Sequence, residues 1–179
     1  MRYAGLKLND ATNCDQGIVV SFWVQGCPHK CAGCHNPETW STEGGKELPA
    51  NIKEQIVKAI NANGIQRNFS VLGGEPLFNG NSKLVLEILN SVRASYPKIR
   101  IFLWTGYLTE DLFNTTDTVV QSILEKVDVL IDGPFQQEKK DLTIPLRGSK
   151  NQHIWERDPA AGWIDKTEEY DKVVFSKKL

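Results

Sequence analysis

The sequence has no apolar stretch approaching the ~20 residues of a membrane-spanning helix, and its first residues do not run from basic to apolar as a secretion signal does. These absences predict a cytoplasmic protein with no membrane partner. Charge of one sign is lacking too: 21 basic side chains stand against 22 acidic ones, the net is −1, and no basic run exceeds a pair. Nothing draws in a phosphate backbone from a distance, which excludes a nucleic-acid-binding class. Cysteine is scarce, with four in 179 residues. In a reducing cytosol so few thiols, closely grouped, point to a metal or redox site and not to a disulfide framework. What is present is a chain the size of one domain, 40% hydrophobic, which is ample for a single core.

Three of the cysteines fall within Gly26-Cys27-Pro28-His29-Lys30-Cys31-Ala32-Gly33-Cys34-His35-Asn36-Pro37. Intervals of three and two residues in a loop bent by Pro and Gly let Cys27, Cys31 and Cys34 curl round one metal centre. Three thiolates are one short of a closed site. A structural zinc takes four protein ligands, whereas an iron–sulfur cube held by three leaves one iron open to a substrate. His35 directly after Cys34 is not a usual zinc spacing. Cys14 has no partner at ligand spacing and reads as a small free thiol. His29 and Lys30 read as solvated loop residues.

Along the chain, Met1 to Asp15 alternates weakly and reads as an edge strand or ordered arm. Ile18 to Val24, β-branched and aromatic with almost no polar interruption, predicts a parallel strand covered on both faces and leading straight into the cysteine loop. Ile52, Ile56, Val57 and Ile60 repeat at helical spacing until Asn63-Gly64. Asn68 to Leu72 reads as a strand, Ser82 to Ser95 as a helix and Arg100 to Trp104 as a strand. A helical turn near Glu110 to Phe113, a helix over Asp117 to Glu125 and a strand over Val127 to Ile131 follow. Repeated βα units with right-handed crossovers make an α/β fold with a parallel sheet and outer helices. Gln152 to Trp155 can add a strand. Asp158 to Gly162 is a break, dividing a domain over residues 1–158 from a tail over 159–179 in which only Val173 to Phe175 resembles a strand.

The cysteine loop, Gly73-Gly74-Glu75, Thr105-Gly106-Tyr107 and Asp132-Gly133-Pro134 each begin where a predicted strand stops. In a parallel sheet those ends share one face, so the four segments surround one cavity. Gly73 and Gly74 either turn the chain or let backbone approach a ligand, and Glu75 can accept from an ammonium group. Thr105 either bonds a ribose or caps a turn. Asp132 either contacts a cofactor or starts an Asx-turn. Trp23, Trp40, Trp104, Trp155 and Trp163 read as core and rim packing.

The cysteine spacing is the signature of the radical S-adenosylmethionine (SAM) enzymes. Within that superfamily the run from Cys27 to Trp40, together with Gly73-Gly74-Glu75-Pro76, Leu103 to Tyr107 and Val129 to Phe135, resembles the activating proteins of the anaerobic ribonucleotide reductase. The resemblance covers roughly residues 1–155. It implies a partial (β/α) barrel of parallel strands, open on one side, that holds a 4Fe-4S cluster on Cys27, Cys31 and Cys34. It also implies SAM bound at its amino end by Gly73-Gly74-Glu75, with Gly33 to His35 against the cofactor. One electron from the cluster would then cleave the sulfonium C5′–S bond, and the 5′-deoxyadenosyl radical would abstract hydrogen from a glycine of the reductase. An electron donor protein or reductant is needed. Two alternatives stay open: a radical enzyme acting on another glycyl-radical protein or a small molecule, and a zinc-stabilised interaction module without catalysis.

Overall fold

The computed structural model describes residues 1–176. Eight strands form one mixed sheet in the order β3-β1-β2-β4-β5-β6-β7-β8. Its centre is β2 (Val19–Val24), β4 (Asn68–Gly73), β5 (Ile101–Trp104) and β6 (Val129–Asp132), all parallel. These are the four strands that the apolar runs predict. On one side β1 (Arg2–Asp10) pairs antiparallel with β2 and with the two-residue β3 (Lys46–Glu47). The N-terminal strand is therefore inside the sheet, and the short β3 is the edge. On the other side β7 (His153–Asp158) and β8 (Gly162–Asp165) add antiparallel strands. The architecture is mixed α/β with parallel strands only at the centre.

The helices are α1 (Ile52–Ile60), α2 (Asn79–Ser95), α3 (Thr109–Phe113), α4 (Thr118–Leu124) and α5 (Thr167–Ser176). Asp117 starts α4 by accepting from the amides of Val119 at 2.8 Å and Val120 at 3.2 Å, the ordinary carboxylate N-cap. Val173 to Phe175, strand-like in sequence, lies on helical backbone in α5.

Alternation along the strands divides the interior in two. Val20, Phe22, Val24, Phe69, Val71, Ile101, Leu103 and Leu130 pack with Ile56, Ile88 and Ile123 of α1, α2 and α4 in the main core. Each fully buried Ile or Leu contributes about 1.5–3 kcal/mol of hydrophobic free energy. The alternate positions Val19, Phe102, Val129, Ile131 and Ile154 face the other way and form a second core with Cys14, flanked by Trp104, Leu146 and Tyr170. Loops and α5 cover that second face, and the space left between them is the cavity described next.

Candidate active site

The cysteine loop leaves β2 at Val24 and is pinned at its root. Gly26 N donates to Thr39 O (2.8 Å) and Cys27 N to Trp40 O (3.1 Å), while the Gln25 amide donates to Glu38 O (2.9 Å) and Ser41 O (2.7 Å). Within the loop Lys30 and Gly33 adopt positive φ, 46° and 71°, which turns the chain twice between the thiols. Cys34 N donates to Cys31 O (3.1 Å), and Asn36 N reaches Cys34 Sγ (3.4 Å). All three thiols are free and half-buried. Burial pushes the Cys27 and Cys31 thiols up; the amides of His29 and Lys30 at Cys27, and of Phe135 at Cys31, oppose it by favouring the thiolate. Cys14, by contrast, is buried in the second core with its thiol on Gly17 O (3.6 Å). Among the described residues no three His, Cys, Asp or Glu side chains stand close enough to hold a single metal ion.

The four segments at the strand ends do meet. Cys27, Cys31, Cys34, Gly73, Gly74, Glu75, Thr105, Gly106 and Gly133 line one cavity of about 430 Å³, a size ordinary for a small-molecule site. Trp23, Leu72 and Trp104 form its back wall from the second face of the sheet, and Thr12, Asn13, Phe135 and Leu146 to Gly148 its sides.

Glu75 is the joint between these segments. It is 1% exposed, and its carboxylate accepts from four donors: Leu77 N (2.9 Å) and Thr105 Oγ1 (2.8 Å) on Oε1, Gly106 N (2.7 Å) and His29 Nε2 (2.8 Å) on Oε2. Its carbonyl is taken by Asn81 Nδ2 (2.9 Å), which also donates to Gly26 O (3.1 Å). One buried acid thus ties the cysteine loop, the turn after β4 and the turn after β5 together. A carboxylate only accepts, so His29 carries its proton on Nε2. Far from being solvated, His29 is held by Glu75 and packs edge-on against Tyr107 with ring centroids 4.6 Å apart.

The glycines are dictated by backbone packing. Gly73 has φ +106°, and a Cβ there would lie 2.9 Å from Val24 O. At Gly74 a Cβ would fall inside the contact radius of the Gly26 carbonyl, with Gly26 C at 2.9 Å. The turn after β4 lies on the root of the cysteine loop, where only hydrogen fits.

Thr105 caps the turn, accepting from Tyr107 N (3.2 Å) while donating to Glu75, and still lines the cavity. Asp132 stands behind the wall: its carboxylate accepts from Thr109 N (3.0 Å) and His153 N (3.0 Å). Gly33 and His35 are exposed at the loop tip. A Cβ on Gly33 would strike the Gln137 side chain, and the His35 ring packs against Phe135, with centroids 5.2 Å apart. Sequence reasoning missed His29, Asn13, Phe135 and Arg147. Asn13 and Arg147 lie on irregular loops whose approach to the sheet no periodicity announces.

A family model described as a 4Fe-4S single cluster domain matches residues 15–155, a span that contains the cysteine loop and all four strand-end segments. The anaerobic ribonucleoside-triphosphate reductase-activating protein of Vibrio cholerae is 36% identical over 139 residues, 77% of this chain and 87% of that protein. The protein of the same name from Pasteurella multocida is 34% identical over 156 residues, 87% of this chain and 97% of its own length. That from Enterobacteria phage T4 is 33% identical over 139 residues, covering 78% and 84%. By its cysteine loop, by the cavity that four strand ends enclose and by identity over most of its length, the chain belongs to the family of anaerobic ribonucleoside-triphosphate reductase-activating proteins.

Proposed function

We propose that this protein is a radical SAM activating enzyme that generates a glycyl radical on the anaerobic ribonucleotide reductase, with Cys27, Cys31 and Cys34 holding its 4Fe-4S cluster. The single observation that carries the reading is the set of three free thiols lining one cavity together with the Gly-Gly-Glu and Thr-Gly turns. The donor set fits the group: three thiolates would ligate three irons and leave the fourth open to a ligand. It does not fit a closed zinc site, which takes four ligands round one ion.

When bound, the cluster would supply the electron for reductive cleavage of SAM and, through it, for hydrogen abstraction from the glycine. The chain's own residues do the rest. The amides at the Cys27 and Cys31 sulfurs stabilise thiolates. Gly73 and Gly74 present backbone at the cavity wall for the methionine amino group, and Glu75, its own carbonyl taken by Asn81, keeps that wall in register with the cysteine loop through His29. Gly33 and His35 at the loop tip, and Thr105 at the cavity wall, would hold the nucleoside. Asp132 acts one layer back by holding the amides of Thr109 and His153, and so shapes Gly133 at the wall.

The finer architecture belongs to the same reading: a domain over residues 1–158 whose central strands curve as a partial barrel, open on one side, round the cavity. The open side takes a segment of the reductase, and Leu142 at the rim, 66% exposed, offers it an apolar contact. A cytoplasmic setting, an electron donor protein and no nucleic-acid partner complete the proposal. It is supported by the unpaired cysteines, which a reducing compartment keeps free, and by the near-zero net charge. Anaerobic reconstitution with iron and sulfide, followed by reduction with SAM present, should release 5′-deoxyadenosine. A reconstituted protein that carries a full cluster and leaves SAM intact would overturn the proposal.

A further inference from the structure

The family model ends at residue 155, before β8 and α5, yet α5 bonds to two loops that wall the cavity. Asp171 of α5 forms an ion pair with Arg147, whose side chain is 2% exposed and lies in the cavity wall between Leu146 and Gly148. The other acceptors of Arg147 are long: Gln152 O at 3.3 Å and Pro145 O at 3.4 Å. Asp171 is thus its one countercharge among the described residues, and it adds to the bonds that tie the wall itself, Trp104 Nε1 on Leu146 O (2.7 Å) and Gly148 N on Gln152 Oε1 (2.9 Å). One residue earlier, the Tyr170 hydroxyl sits 2.6 Å from Glu156 Oε1 and 3.0 Å from Asp15 Oδ2. Arg100 bridges the same two carboxylates at 2.7 and 2.8 Å. Asp15 lies in the loop between β1 and β2 whose Thr12 and Asn13, anchored on the Asp10 carboxylate, also line the cavity. Burial and the Glu156 carboxylate push the Tyr170 hydroxyl far up, so it stays a neutral donor. The helix is itself docked on the sheet, with Thr167 Oγ1 accepting from Ile154 N (2.9 Å) and Lys166 N donating to Ile154 O (2.8 Å).

We propose that α5 is a clasp for the cofactor cavity: Asp171 holds the Leu146–Gly148 wall through Arg147, Tyr170 holds the Thr12–Asp15 wall, and both are positioning residues for SAM. The inference rests on the function proposed above and assigns a task to residues that no cysteine or glycine motif contains. None of the clasp's bonds touches the cysteine loop, so loosening it widens the cavity without removing a cluster ligand. The effect belongs in the binding of SAM and not in the chemical step.

The test uses the full chain, reconstituted anaerobically, as Asp171→Ala, Tyr170→Phe and the double variant. Measured are iron and sulfide content, SAM affinity by titration, and KM and kcat for 5′-deoxyadenosine release. Loss of a charge-assisted bond at a partly exposed pair should weaken SAM binding about fivefold in Asp171→Ala, and more in the double variant. Iron content and kcat should hold, and Asp171→Glu should restore affinity. Because a purely structural helix would lower the melting temperature without moving KM, unchanged SAM affinity in Asp171→Ala overturns the clasp, whatever the stability does. Iron loss parallel to the affinity loss also overturns it, since the helix would then support the whole fold. If the unaltered reconstituted protein fails to bind SAM, the proposed function falls first and the clasp with it.

Discussion

Replacing Glu75 by Gln keeps the volume of the side chain and removes one acceptor from a site where all four contacts are donors. Whichever way the amide is turned, its NH2 faces one of two pairs: Leu77 N with Thr105 Oγ1, or Gly106 N with His29 Nε2. The Thr105 hydroxyl can rotate and His29 can move its proton to the other ring nitrogen, but a backbone amide can do neither. One buried amide, of Leu77 or of Gly106, is therefore left facing a donor at every orientation. That conflict costs about 1–3 kcal/mol, and weakening the bonds that a charged acceptor made adds about as much. Together they come to an expected loss of about 2–6 kcal/mol. Urea denaturation of the metal-free protein under reducing, anaerobic conditions reads it as a drop in the transition midpoint at unchanged slope. Thr105→Ala, which removes one donor and leaves the acid three, should lose only about 1 kcal/mol. A Glu75→Gln variant within 0.5 kcal/mol of the parent (roughly the noise of a surface change) would refute the assignment of Glu75 as the joint.

Among the cysteines, Ala at Cys27, Cys31 or Cys34 should each abolish a full iron complement after reconstitution while Cys14→Ala retains it; iron and sulfide assays decide. Gly74→Val should lower iron content as well as SAM affinity, because its Cβ displaces the Gly26 carbonyl at the root of the cysteine loop; a variant with full iron and weak SAM binding would mean that the glycine serves only the ligand. Gly106→Ala presses on the His29 ring, a movable side chain, so it should keep most of its iron. Asp117→Ala removes the cap of α4, remote from the cavity, and should cost about 1 kcal/mol in denaturation with SAM affinity unchanged.

The parallel centre of the sheet was legible because strands buried on both faces leave continuous apolar runs, as in Ile18 to Val24, and because α1, α2 and α4 keep helical spacing on the side facing the core. The antiparallel flanks were less so. β3 is two residues long, β1 alternates weakly because most of it is only partly buried, and direction is set by connections that no local pattern encodes. Placement of the three cysteines, Gly73 to Glu75 and Thr105 round one cavity followed from strand ends alone. What each residue touches did not follow. Glu75 is spent on the protein's own donors because Thr105 and His29, remote in sequence, arrive beside it, and Asp132 serves two amides behind the wall for the same kind of reason. The second face, closed by irregular loops and a helix whose Val173 to Phe175 run looks like a strand, left no periodic trace by which Arg147 or Asn13 could be found.

On this reading the chain makes a glycyl radical on a reductase. Electron paramagnetic resonance on an anaerobic mixture of the reduced, reconstituted protein, SAM and the anaerobic ribonucleotide reductase tests it most directly. A glycyl doublet should appear on the reductase, require SAM and disappear with the Cys31→Ala variant. Cleavage of SAM without a doublet on the reductase, while another glycyl-radical protein or a small molecule is consumed in its place, would contradict it.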